Sequence, residues 1–304
     1  METAAAPVSD GRIPFKGAAT WYRVVGEGEE PGKWPLVCLH GGPGGAHDYL
    51  EPLGGLARGR RVIFYDQLGC GRSPYPEDPS LWTVELFVEE LGAVRDALGL
   101  DHIHLFGSSW GGMLAMEYAL TQPSGLESLV IASSPASMTQ WVEEAVRLRA
   151  ELPQEVQDNL TRHEEAGTTD DPAYEEACMA FYERHVCRVV PFPDYVQRSF
   201  DQMPNQVYLT MNGPSEFHVV GTLRSWDIRD RLGEIAAPTL VTSGRHDEAT
   251  PLIAETVQRG IPGAEWVVFE ESSHLAHAEE TERYLEVVEA FLSRIESGNE
   301  STQP

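Results

Sequence analysis

The stretch HIHLFGSSWGGMLAMEYAL, residues 102–120, constrains this 304-residue chain more than any other. It joins a short apolar run to an apolar helical run through Gly107-Ser108-Ser109-Trp110-Gly111. A turn of that composition between strand and helix holds its central serine on strained backbone, and the small residues around it relieve the crowding. The helix behind the serine brings unpaired N–H groups and a partial positive charge close to its oxygen, which favours developing negative charge. Ser109 is therefore the candidate nucleophile. A glycine-rich turn without chemistry is the competing reading; the strand-turn-helix setting and a further glycine, Gly112, favour the nucleophile.

A serine hydroxyl needs a base to take its proton, and the base needs an anion to hold its tautomer. Asp247 lies in RHDEATP just past the strand-like TLVTSG, and His274 lies just past EWVVFEESS. The order Ser, Asp, His, with each residue after a strand, places all three on loops at one end of a sheet. His277 opens the final helix and His246 points elsewhere, so His274 is the expected base. The pair His274 and His277 lacks a third ligand, and neither a metal nor a cofactor is expected. After the apolar PLVCL comes His40-Gly41-Gly42-Pro43-Gly44-Gly45. Glycines there let main-chain amides approach an oxygen, so the amide of Gly42 or Gly41, paired with that of Trp110, is expected to bind an oxyanion. Losing one such donor costs about 3 kcal/mol. A purely structural turn is the rival.

Short apolar runs bounded by Gly, Pro and Asp alternate with helical stretches in the first part, the pattern of a mostly parallel sheet with crossover helices. Strands are expected at 21–25, 35–40, 61–65, 104–107 and 129–132. Helices are expected at 83–98, where Leu86, Leu91, Val94 and Leu98 recur at helical spacing, and at 111–121. From Pro135 to Arg231 the chain turns to Glu- and Arg-rich helical stretches, broken at Pro153, Pro172, Pro191, Pro193 and Pro204. Alternation resumes with strands at 239–243 and 265–269 and an amphipathic helix at about 279–295. The expected organisation is an α/β core built from residues 1–134 and 232–304, interrupted by a helical cap at 135–231. Such a cap roofs the crevice where open α/β sheets bind ligands. The polar tail ESGNESTQP is expected to fray.

A formal charge of −26 argues against a nucleic-acid partner, which demands clustered Lys and Arg, and anionic membranes repel it too. The plain reading of the acidic surface is solubility, with steering of cations toward a cleft as the sharper one. No apolar run approaches the roughly 20 residues that cross a bilayer. The opening METAAAPVSDGR lacks the basic start and apolar core of a signal peptide, so a cytoplasmic location is expected. Cys38, Cys70, Cys178 and Cys187 lack metal-ligand spacing and are expected to be free, reduced thiols.

Five segments carry a family resemblance: HGGPGGAHDYL at 40–50, FYDQLGCGRS at 64–73, GSSWGG at 107–112, MNGPSEFHVVGTLRSWDI at 211–228 and DEATP at 247–251. Together they resemble the proline iminopeptidase family of α/β-hydrolases, especially its tricorn-interacting aminopeptidase branch. The resemblance implies the α/β-hydrolase fold and removal of an N-terminal residue, often proline, from short peptides or amino acid amides. In that branch two glutamates grip the free amine of the substrate, and the matching positions are Glu216 in NGPSEF and Glu248 in HDEATP. A partly buried ammonium must be paired with carboxylates, and charge-assisted bonds would fix how far the scissile carbonyl lies from Ser109. The blander readings are a solvated loop carboxylate for Glu216 and a mere neighbour of Asp247 for Glu248. Gly112 stands closer to the tricorn-interacting branch and to related amino acid amidases, so peptide against amide preference stays open. Two rivals stand beside the aminopeptidase: a small-molecule amidase or esterase, and a ligand-binding protein on a hydrolase scaffold.

Overall fold

The central strands are buried along their whole length, and their side chains turn alternately to the two faces of the sheet, which sorts the chain into two cores. The computed structural model describes residues 6–74, 76, 78–203 and 205–300. Among them the strands are β1 (Val8–Phe15), β2 (Ala18–Val25), β3 (Leu36–Leu39), β4 (Val62–Asp66), β5 (Ile103–Ser108), β6 (Leu126–Ala132), β7 (Thr239–Gly244) and β8 (Glu265–Phe269). They form one sheet in the order β1-β2-β4-β3-β5-β6-β7-β8, antiparallel at the β1, β2 and β4 pairings and parallel from β4 onward.

The helices are α1 (Val84–Leu98), α2 (Trp110–Leu120), α3 (Met138–Arg149), α4 (Gln154–Ala166), α5 (Pro172–His185), α6 (Asp194–Phe200), α7 (Gln206–Met211), α8 (Pro251–Gly260), α9 (Ala276–Glu279) and α10 (Thr281–Glu300). In β3, Val37 and Leu39 join one core with Leu91 of α1, Leu114 of α2 and Val257 of α8. Leu36 and Cys38 join the other, with Leu50 and Leu53 of a 3-10 segment at His47–Leu56 and with Val288 and Leu292 of α10. Each such fully buried aliphatic side chain contributes about 1.5–3 kcal/mol. This sandwich of helix, sheet and helix fixes the carboxyl ends of β3 and β5 side by side, with β4 and β6 on their outer flanks. The crevice there is where open α/β sheets bind ligands.

Several expectations shift. β1 is absent from the sequence reading because only Ile13 and Phe15 of its eight residues are buried, the weak pattern of an edge strand. The prolines of the helical segment start helices instead of breaking them: Pro153 and Pro193 immediately precede α4 and α6, and Pro172 opens α5. Proline suits that place because its missing N–H would find no helical acceptor anyway. Pro191 lies in the link between α5 and α6, and Pro204 lies outside the described residues. The final helix starts at Thr281, later than expected, and continues to Glu300 through the first residues of the expected frayed tail; 301–304 lie outside the described residues. All four cysteines are buried and unpaired. Among the described residues no helix is long and apolar enough to cross a membrane.

Candidate active site

The turn between β5 and α2 holds Ser109 at φ 57° and ψ −124°, a conformation that costs a side-chain-bearing residue about 1–3 kcal/mol. The neighbours make that turn affordable in space. A β-carbon on Gly107 would sit 2.2 Å from the Gly111 carbonyl oxygen, and one on Gly111 would sit 2.2 Å from the Leu39 carbonyl oxygen. The turn is then tied down from β6 and beyond: the Ser109 N–H donates to the Ala132 carbonyl at 2.9 Å, and the Ser134 hydroxyl donates to the Ser109 carbonyl at 2.8 Å.

Asp247 and His274 project from the loops after β7 and β8 and meet there. His274 Nδ1 lies 2.8 Å from Asp247 Oδ1. A carboxylate accepts, so Nδ1 carries the proton and Nε2 is left with its lone pair. Asp247 is itself oriented by the Ala249 N–H at 2.8 Å and the Gly244 N–H at 3.3 Å. Burial pushes the His274 imidazole down, but Asp247, joined by Glu216 and Glu279, outweighs it and leaves the group above its ordinary value. Ser109 and His274 line one cleft together with Gly41, Gly42, Tyr49, Glu216 and Glu248. The competing histidines lie elsewhere in function. His277 donates from Nε2 to the Tyr49 carbonyl at 3.0 Å, and burial pushes it down to about 4. His246 is exposed.

The glycine-rich loop separates its two candidate donors. The Gly41 N–H is already given to the Tyr49 hydroxyl at 2.7 Å, and Gly42 lines the cleft beside it. Trp110 is the first residue of α2, so its N–H has no acceptor within the helix. One side chain connects the two. Gln67, just after β4, donates to the His40 carbonyl at 2.9 Å and accepts the Trp110 indole N–H at 2.8 Å, and its own N–H donates to His40 Nε2 at 2.9 Å. His40 therefore carries its proton on Nδ1, directed at the Gly41 carbonyl 3.0 Å away.

Glu216, from the segment after α7, and Glu248, from the loop after β7, line the same cleft. Glu216 accepts the Tyr208 hydroxyl of α7 at 2.8 Å, while its carbonyl accepts the Trp141 indole N–H of α3 at 2.8 Å. Glu248 is 2% exposed, with Oε1 3.7 Å from His274 Nε2 and with no hydrogen-bond partner for Oε2. Burial, followed by repulsion from Glu216 and Asp247, pushes the Glu248 carboxyl well above its ordinary range, and burial likewise raises Glu216. Two acids crowded together away from water call for a cation. The Trp141 ring also stands edge-on to the His274 ring, with centroids 6.1 Å apart.

Sequence reasoning missed Gln67, Tyr49, Tyr208 and Trp141. Gln67 alone left a signal, as a polar residue directly behind an apolar strand in FYDQLGCGRS.

Comparison with known proteins agrees with this geometry. The model of the alpha/beta hydrolase fold family matches residues 35–281. The proline iminopeptidase of Saccharolobus solfataricus is 42% identical over 281 residues, covering 91% of this chain and 89% of that protein. That of Clostridium botulinum is 41% identical over 291 residues, covering 94% and 99%. The crystal structure of the proline iminopeptidase of Mycobacterium smegmatis superposes with a TM-score of 0.88 at 48% identity, covering 96% of this chain and all of that one. With its strained serine, its Asp247–His274 pair and these relatives spanning nearly its whole length, the chain belongs to the proline iminopeptidase family of α/β-hydrolases.

Proposed function

We propose that the protein is a serine aminopeptidase that releases an N-terminal residue, proline or another small apolar one, from short peptides or amino acid amides. The observation that carries this reading is the pair of carboxylates, Glu248 buried and Glu216 half-buried, in the cleft that also holds Ser109 and His274. An unblocked amino terminus supplies the cation this pair lacks, and its charge-assisted bonds would set the distance from the ammonium to the reacting carbonyl.

On this reading Ser109 Oγ attacks the carbonyl carbon while His274 Nε2 takes its proton, and Asp247 holds the imidazole in the required tautomer. The amides of Gly42 and Trp110 receive the negative charge that develops on the carbonyl oxygen. His274 then returns the proton to the departing amine, and water, activated by the same imidazole, cleaves the ester on Ser109. A second cavity beside Ser109, walled by Pro43, Met113, Pro135, Met138, Trp141 and Leu223 and also by Asn212 and Glu216, offers a largely apolar place for the side chain of the released residue. The relatives' name, proline iminopeptidase, supports the same substrate. Residues 135–231 act as the cap of the site, contributing Trp141, Tyr208 and Glu216 from above. Four unpaired cysteines support a reducing, cytoplasmic setting.

The test compares prolyl and alanyl anilides with their N-acetylated forms. Strong preference for the free amine is the expected result; equal turnover of blocked and free substrates would identify a general amidase or esterase instead.

A further inference from the structure

The loops that carry Asp247, Glu248 and His274 share an anchor that belongs to neither. The carbonyl of His185, the last residue of α5, accepts the N–H of Glu248 and the N–H of His274, each at 3.1 Å. The next carbonyl, that of Val186, accepts the N–H of Leu275 at 3.0 Å. Farther on, the Arg188 N–H meets the carboxylate of Glu279, which also takes the N–H and hydroxyl of Ser273. The His185 side chain closes the arrangement: Nδ1 lies 2.9 Å from the His246 carbonyl, which can only accept, so the ring is the donor. Its ring also rests against Phe181 of the same helix, with centroids 4.9 Å apart.

A carbonyl that serves two amides from two loops fixes those loops only while its own peptide plane is fixed. The ring bond to His246 supplies that restraint, because it ties the same residue to the position just before Asp247. We propose that His185 is a positioning residue for the reaction: it holds the end of α5 against both loops, so that Asp247, Glu248 and His274 keep one mutual geometry. The inference rests on the serine aminopeptidase reading for its consequence, though not for its contacts. Displacement of a reacting group by about 1 Å costs on the order of a hundredfold in rate.

Two variants test it. His185→Phe keeps a ring on Phe181 but removes the donor, and His185→Asn returns an N–H near the position of Nδ1. With melting temperatures followed alongside, a fluorophosphonate is expected to label Ser109 in His185→Phe on the order of tenfold to a hundredfold more slowly than in the parent, with His185→Asn recovering most of the rate. Deuterium exchange at the amides of Glu248 and His274 should quicken in His185→Phe and return toward the parent in His185→Asn. Labelling and exchange unchanged in His185→Phe would overturn the proposal, and so would a His185→Asn variant as impaired as His185→Phe, since a restored donor would then fail to restore the geometry. A parent protein that resists the probe would reject the nucleophile reading, while the exchange comparison would still judge the anchor by itself.

Discussion

Gln67 Oε1 accepts the indole N–H of Trp110 at 2.8 Å, and through this bond the loop after β4 sets the position of the residue that follows Ser109. Its amide nitrogen meanwhile holds the carbonyl of His40, at the head of the glycine-rich loop. The two main-chain donors proposed for the oxyanion thus depend on one buried side chain.

Gln67→Leu leaves the Trp110 indole N–H and the His40 carbonyl without these partners in a buried place, at about 1–3 kcal/mol for each orphaned group. The variant is expected to melt several degrees lower and to lose kcat with little change in KM, because oxyanion donors act in the transition state. Steady-state kinetics on a prolyl anilide together with calorimetry check this; an unchanged kcat would show that the two donors are held independently of Gln67.

Ser109→Ala should abolish turnover while the fold stays intact, since loss of the nucleophile removes on the order of a millionfold in rate. Alanine keeps the β-carbon at φ 57°, whereas glycine does not. Ser109→Gly is therefore expected to be equally inactive yet to melt higher than Ser109→Ala, by an amount on the order of 1 kcal/mol. Equal melting temperatures would mean that the turn carries no strain.

Glu216→Gln and Glu248→Gln should each raise KM for free-amine substrates and spare neutral esters, and they should also act on pH. His274 works as a base only when neutral, and its raised value puts the acid limb of the rate profile above the usual histidine position. Because Glu216 is one of the groups holding it up, Glu216→Gln is expected to move that limb toward lower pH. An acid limb that stays put on a neutral ester substrate would deny this coupling.

Glu90 offers a pH test of stability away from the chemistry. Burial pushes its carboxyl up to about 7, although it accepts the Leu68 N–H and the Thr20 hydroxyl. A group raised in the folded state supports folding in full below its unfolded value, and that support fades as pH rises through the folded value. The protein should therefore lose stability between roughly pH 4.5 and pH 8, by roughly 3 kcal/mol at most from this group. In Glu90→Gln that part of the pH dependence should vanish, as urea melts at pH 5 and pH 8.5 would reveal; an undiminished slope would assign it to other groups.

What the chain disclosed in advance follows from where each signal lives. The serine turn, Asp247 and His274 each sit beside an apolar strand and carry their own local pattern, so spacing and order were enough to nominate them. Gln67, Trp141 and His185 act across long separations. Gln67 meets Trp110 at 43 residues' distance, and Trp141 meets the Glu216 carbonyl at 75. No window of sequence contains both partners. β1 escaped notice for a different reason: at the sheet edge, with Val8 exposed, it shows little of the alternation that reveals a strand. Glu216 and Glu248 were reached only through family resemblance, because a carboxylate's burial is a property of the assembled cleft.

The crowding of Glu216, Glu248 and Asp247 around one small space has a further effect when the reaction ends. Hydrolysis turns a neutral acyl group into a free carboxylate, so the released amino acid brings new negative charge into a chamber already rich in it. If Glu216 and Glu248 hold the ammonium as proposed, that attraction is then opposed by repulsion of the product's other end, and the same acids would hasten its departure.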